Sequence, residues 1–253
     1  MLRLQGKTTI VTGAGGGMGL KIVEFFLREG AQVAALDLNT APVKQAFNQA
    51  DNSRLVVIEV DVTSESAVIQ AVQEVVNRWG KVDALVHAAG IAQPATPVEE
   101  VTKAEWERIM AVNVTSAFLL SKAVIPYMKQ QRQGVMVHIA SIASQRPRPG
   151  LNAYIASKGA LVALAQALAI ELAPFNIRVN ALNPGPTDTQ MLGQFAADGT
   201  DSEQTKATVF KQSVPLGRLI KPEDIAHAAV YLCSDEAQMV TGAVFNVDGG
   251  RGL

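Results

Sequence analysis

The sequence predicts a doubly wound α/β fold, a parallel sheet with helices on both faces. Three observations carry that expectation. Short apolar runs alternate with longer helical patterns along all 253 residues. The runs are rich in Val and Ile and barely alternate with polar residues, as strands covered on both faces require. A glycine-rich turn, Thr12-Gly13-Ala14-Gly15-Gly16-Gly17-Met18-Gly19, joins the first run to the first helical pattern. Strand, helix and strand repeated in this way give right-handed crossovers and parallel pairing.

Seven strands are expected, at 7–12, 32–37, 54–60, 82–86, 134–140, 177–182 and 243–247. Helices are expected at 17–29, 41–50, 65–79, 103–128, 154–173 and 222–234. Thr102 and the pair Thr63-Ser64 stand where N-caps belong, and Pro222 suits a first helical turn. No linker, repeat or low-complexity tract divides the chain, so residues 1–253 read as a single domain. The one long irregular segment, 183–213, is expected to be a lid over substrate.

Composition narrows the function classes. Hydrophobic residues make up 48% and aromatics only 5%, so Ala, Val, Leu and Ile must fill the core. Net charge is -1 without basic or acidic blocks, which argues against nucleic acid and anionic membranes as partners. The longest apolar stretch, 159–173, is broken by Gln166 and Glu171 and is too short to cross a bilayer. Residues 1–12 carry no cleavable apolar region, so a cytoplasmic protein is expected. The single cysteine, Cys233, reads as a small core residue.

The glycine turn is a candidate phosphate cradle. A backbone lacking Cβ atoms at Gly13, Gly15, Gly17 and Gly19, around Met18, can approach a pyrophosphate closely. The following helix start offers free N–H groups and a positive dipole end. A flexible turn would show the same glycines. Asp37 adds weight, because it ends the second strand 24 positions after Gly13. A carboxylate there can accept from both ribose hydroxyls and repels a 2′-phosphate. Leu38 and Asn39 bring no cation, so NAD is expected rather than NADP.

Tyr154 and Lys158 form a candidate acid/base pair. Spaced i and i+4, they share a helix face. A free phenol titrates near about 10, and a neighbouring ammonium is expected to lower that value. The pair can then exchange a proton with an alcohol or ketone while hydride moves. Ser141 closes the fifth strand, on the ligand side of a parallel sheet, where its hydroxyl can hold the substrate oxygen. Asn113 lies inside the helical pattern 103–128, where a buried amide needs partners such as a backbone carbonyl and a relayed water.

Together these residues resemble the classical short-chain dehydrogenase/reductase family over nearly the whole chain. The turn matches that family's Thr-Gly-x-x-x-Gly-x-Gly pattern at Thr12, Gly13, Gly17 and Gly19, and Ser141 precedes Tyr154 by thirteen residues. The resemblance implies a Rossmann-type domain with Asn113, Ser141, Tyr154 and Lys158 as a catalytic tetrad. It implies adenine contacts from Asp61 and Val62, and cofactor contacts from Ala88 and Gly90. It further implies that Pro184, Gly185, Thr187 and Thr189 hold the nicotinamide carboxamide, and that the segments at 240–242 and 247–250 build a homotetramer. Two positions depart from the family pattern. His87 opens the segment that commonly begins with asparagine, and His138 replaces an asparagine three residues before Ser141. Both imidazoles are expected to hydrogen-bond the backbone in place of the amide.

Expected pocket walls are Gln93, Gln145, Arg146, Leu151, Gly185, Met191 and Phe195, a mixture suited to a small molecule. Arg146 and Arg148 either attract an anionic substrate or face solvent in their Pro-flanked loop. The substrate expected is a small secondary alcohol or its ketone. The resemblance leaves a 3-oxoacyl-[acyl-carrier-protein] reductase as an alternative, opposed by Asp37 and by Phe175, where such reductases often carry a basic residue. A catalytically silent NAD-binding sensor or scaffold has no need of the Tyr-Lys pair. A carbohydrate epimerase, whose relatives use that pair too, is a further alternative, less expected because such enzymes add a sugar-nucleotide domain for which 253 residues leave little room.

Overall fold

The computed structural model describes residues 2–48, 53–195, 208 and 210–253. Seven strands form one parallel sheet: β1 (Thr8–Thr12), β2 (Gln32–Asp37), β3 (Leu55–Glu59), β4 (Ala84–His87), β5 (Gly134–Ile139), β6 (Ile177–Pro184) and β7 (Val244–Val247). Their order is β3-β2-β1-β4-β5-β6-β7. All six pairings are parallel, with Val11 opposite Val86 and His87 opposite His138. The strand order reverses between β1 and β4. In such sheets the crevice at the carboxyl ends beside that reversal receives the ligand.

Strands β1 to β6 each supply residues to two cores, as period-two side chains must. Val11, Val33, Val86 and Val137 face α1 (Gly17–Arg28) and Pro222–Cys233, here α8, meeting Ile22, Val23, Phe26 and Ile225. Ile10, Leu36, Leu85 and Met136 face the other way, toward α3 (Glu65–Trp79), α5 (Ser116–Gln131) and α6 (Asn152–Leu172). There they meet Val68, Leu120 and Leu161. Each such fully buried Leu or Phe stabilises the fold by roughly 1.5–3 kcal/mol. Shorter helices are α2 (Ala41–Ala46), α4 (Lys103–Met110) and α7 (Gln190–Gly193), with α7 following β6.

Local chemistry sets the boundaries. The Ser64 and Thr102 hydroxyls accept from the backbone N–H of Ala67 and Glu105, starting α3 and α4. Gly80 takes the left-handed conformation that stops α3. Cys233 is buried, and desolvation lifts its thiol to about 12, as a core residue requires.

Two expectations are corrected here. The helix read across 103–128 is broken: α4 ends at Met110, Ala111–Thr115 form one π-helical turn, and α5 follows. A π turn inserts one residue and rotates the side chains within it, and such turns favour functional sites. The stretch judged too short for a membrane belongs to a longer apolar helix, 152–175, and 103–131 also has the length and composition to cross one. Both lie against the sheet, and α6 buries Ala153, Tyr154, Ser157, Lys158, Leu161, Ala165, Ala169 and Leu172 on one side. Of the expected helix 41–50, residues 49 and 50 lie outside the described residues. The same holds for 196–207 and 209 of the expected lid.

Candidate active site

The glycine turn lies between β1 and α1 at the carboxyl edge. Gly13 has φ +64°, and a Cβ there would come within 2.7 Å of the Ala88 carbonyl. At Gly15 a Cβ would sit 2.7 Å from the Asn39 carbonyl oxygen, and at Gly19 it would overlap the Gly13 oxygen. Larger residues would therefore collide with the backbone that follows β4 and β2, or with the turn itself. Among the described residues no side chain caps α1, so its first N–H groups remain available to an anion. Gly15 and Asn39 donate their backbone N–H to the two Asp37 carboxylate oxygens, each at 2.8 Å. An ionised carboxylate has about four acceptor sites, so ribose hydroxyls can still be accommodated.

A cavity along this turn is lined by Gly13, Gly15, Gly17, Met18 and Gly19, and by Asp37, Ala88, Gly90 and Thr189. Its lining includes Asp188 but no lysine or arginine among the described residues. The cradle, the free helix N-terminus and the carboxylate fit a dinucleotide. Leu38, Asp61 and Val62, expected to contact the cofactor, are not among the residues lining this cavity. Leu38 faces solvent, and the Asp61 carboxylate is engaged by the Thr63 N–H and hydroxyl, which hold it below its usual range.

The four residues expected to form a tetrad gather beside it. Tyr154 and Lys158 are both buried on α6, with the ammonium 5.7 Å from the phenol ring centre. Lys158 donates to the Ile139 carbonyl at 2.8 Å, at the end of β5. Next to Gly90, a Cβ would meet both Lys158 Nζ and Asn113 Oδ1 at 3.3 Å, which places that ammonium against the dinucleotide cavity.

Asn113, in the π turn, is fully buried. Its Oδ1 accepts from Ile91 N at 2.8 Å, and its Nδ2 donates to Ile91 O and Ser157 Oγ. Ser157 Oγ donates in turn to the Tyr154 carbonyl at 2.7 Å. The amide thus ties the loop after β4 to the helix that carries Tyr154 and Lys158.

The expected lowering of the Tyr154 phenol does not appear. Burial pushes it up to about 12, and the hydrogen bond with Ser141 offsets this only in part. Burial also pulls Lys158 down to about 8. Removal from water disfavours both charged forms, and the ammonium is directed to Ile139 rather than to the phenol oxygen.

The two histidines do not replace an amide's backbone bonds. His87 Nε2 meets Ser116 Oγ at 2.8 Å, and among the described residues both ring nitrogens of His138 lack hydrogen-bond partners. The rings contact edge to face at 5.9 Å. Burial, then the Lys158 charge, holds His138 near 4; for His87, burial, His138 and Lys158 act in the same direction. Both are neutral at physiological pH.

A second cavity opens between the β5 and β6 ends. Ser141, Tyr154, Leu151, Pro184, Gly185 and Thr187 line it, with Met18, Thr189 and Met191 shared with the dinucleotide cavity. Phe195 packs edge to face on Tyr154 at 4.8 Å. Arg146 and Arg148 line it too. Gln93 and Gln145 do not. Gln93 Oε1 instead accepts from Tyr154 N at 3.0 Å and its Nε2 donates to Asn152, so it fastens the start of α6. Gln145 accepts from Asn246 at 2.9 Å. Phe210 and Arg251 are lining residues that the sequence reading missed. They stand 56 and 97 positions beyond Tyr154, and no local pattern marks them.

A switch-point crevice with a glycine cradle and a buried Tyr-Lys pair defines a dinucleotide-binding oxidoreductase site. Comparison with known proteins agrees. A family model described as enoyl-(acyl carrier protein) reductase matches residues 13–251. A 3-oxoacyl-[acyl-carrier-protein] reductase of Thermotoga maritima is 34% identical, covering 98% of this chain and 99% of its own. 2-(S)-hydroxypropyl-CoM dehydrogenase 3 of Xanthobacter autotrophicus is 37% identical, over 98% and 97% respectively. The crystal structure of a 3-ketoacyl-(acyl-carrier-protein) reductase from Brucella melitensis, complexed with NADH, superposes with a TM-score of 0.91 at 38% identity, covering 99% of this chain and 100% of that one. The chain belongs to the classical short-chain dehydrogenase/reductase family. It is an oxidoreductase of the kind that acts on alcohols or ketones with a nicotinamide cofactor.

Proposed function

We propose that this chain is an NAD-dependent dehydrogenase/ketoreductase for a small secondary alcohol or its ketone, with Tyr154 as the acid/base. The observation that carries the reading is the meeting of two cavities at Met18, Thr189 and Met191, one built on the glycine cradle and the other on Ser141 and Tyr154. A bound nicotinamide supplies or receives the hydride. Tyr154 exchanges the proton with the substrate oxygen, which the Ser141 hydroxyl holds. With its phenol at about 12, Tyr154 keeps its proton at neutral pH and is set to donate to a ketone. Lys158 places a positive charge beside the cofactor cavity and favours the phenolate when an alcohol is oxidised. Asn113 holds these groups in register through Ile91 and Ser157.

Asp37 and the absence of cations in the described cofactor lining support NAD over NADP. The open β7 edge, with Phe245 partly exposed, supports a homotetramer assembled through the C-terminal region of a cytoplasmic enzyme.

A 3-oxoacyl-[acyl-carrier-protein] reductase is a second reading. Similarity to two such reductases favours it, and one of them was crystallised with NADH, so cofactor choice alone does not separate the readings. Turnover of an acyl-carrier-protein thioester far above that of free ketones would favour it. The main reading is tested by NADH absorbance with a panel of alcohols and ketones. Tyr154→Phe should lower turnover about 10²-fold or more while NAD still binds. Near-normal turnover in that variant, or a higher kcat/KM with NADP than with NAD, would refute the corresponding part.

A further inference from the structure

We propose that Arg148 and Arg251 form an anion subsite inside the substrate cavity, so that the substrate is an alcohol or ketone carrying a carboxylate or sulfonate. This rests on the oxidoreductase reading of the same cavity and names the substrate class for it.

Arg148 and Arg251 line the cavity that Ser141 and Tyr154 line, and Arg146 lines it as well. Arg148 is half-buried. Its guanidinium lies 4.5 Å over the Phe210 ring, and among the described residues its buried Nη1 has no hydrogen-bond partner. A buried, unpaired N–H of a charged group costs free energy unless something accepts from it. Among the described residues no Asp or Glu side chain forms an ion pair with Arg148 or Arg251.

The cluster is held in place. Arg146 Nη1 donates to the Arg251 and Leu253 carbonyls at 2.8 and 3.0 Å, pinning the C-terminal tail over the 141–148 loop. Asp248, whose charge acts on Arg251, accepts from the N–H groups of Gly250 and Gly252. The charges also oppose one another. Burial and then Arg251 lower the Arg148 pKa, and burial and then Arg146 lower that of Arg251, with Asp248 only partly offsetting this. Like charges gathered around an apolar cavity are relieved by a bound anion, and a guanidinium fork matches a planar carboxylate.

The test uses the full-length enzyme saturated with NADH and two non-reacting probes, benzoate and benzenesulfonate, titrated by calorimetry. Saturable binding is expected, weakened about tenfold or more in Arg148→Gln and in Arg251→Gln, the loss expected for a charge-assisted contact. The tighter probe identifies the head group. Failure of both probes to bind, or equal binding by wild type and both variants, overturns the subsite. A turnover arm compares acetoacetate with methyl acetoacetate. The ratio of their kcat/KM values should favour the acid and fall toward one in both variants. A ratio of one in the wild type sinks the subsite and leaves the oxidoreductase reading standing. Probe binding that the variants abolish, without turnover of any ketone, sustains the subsite and sinks that reading.

Discussion

Replacing Lys158 by methionine should abolish turnover and stabilise the fold at neutral pH. The ammonium is almost fully buried, and burial lowers its pKa from 10.5 to about 8. Each pKa unit corresponds to about 1.4 kcal/mol, so carrying this charge inside costs the folded state about 3 kcal/mol at pH 7. Methionine removes that cost and fills similar space. It also takes the Nζ donor from the Ile139 carbonyl, a loss of about 1–2 kcal/mol. The net gain is about 1–2 kcal/mol, or roughly 3–6 °C in Tm for a chain of this size. The pH dependence distinguishes this cause from ordinary repacking. Below about 8 the lysine is charged in both folded and unfolded states and the penalty is complete. Between about 8 and 10.5 the folded state sheds its proton first, so the unfolded state binds more protons and wild-type stability rises with pH. The advantage of Lys158→Met should therefore shrink across that window. Denaturant titrations of both proteins from pH 6 to 9.5 measure it. A constant advantage, or a variant less stable than wild type throughout, would refute the argument.

Three further predictions follow from the same geometry. Because the Tyr154 phenol lies near 12, alcohol oxidation, which needs the phenolate, should accelerate steadily from pH 7 to 10 while ketone reduction does not; a flat oxidation profile measured by NADH absorbance would contradict this. Gly13→Ala forces a Cβ into the Ala88 carbonyl at positive φ, and calorimetry should show NAD binding weakened at least tenfold, whereas normal binding would show that the turn can give way. Asn113→Ala leaves Ile91 and Ser157 without their amide partner; it should cost roughly 2–4 kcal/mol in urea unfolding and lower kcat, and a loss under about 0.5 kcal/mol would mean that the amide does not tie the site together.

The sheet was legible because strands buried on both faces leave little choice of residue. Val33, Ala34, Ala35 and Leu36 must all be apolar, and the run ends where Asp37 reaches the edge. The break at Ala111–Thr115 was not legible, because a π turn has no composition of its own and the apolar period continues past it. The histidines illustrate a similar limit. Their identities are plain in the sequence, but pairing His87 with Ser116 depends on β4 lying beside α5.

The sequence alone determined the parallel sheet, the glycine cradle with its acidic partner at Asp37, and the Tyr154–Lys158 spacing, because each is set by residues close together along the chain or by a repeating pattern. Only the tertiary structure decided that Gln93 fastens α6 and does not line the cavity beside Tyr154, and that Arg251 lines that cavity together with Arg148. It also decided that burial, rather than the neighbouring ammonium, sets the Tyr154 proton. These outcomes depend on distance and desolvation between segments remote in sequence, and neither quantity exists until the chain has folded.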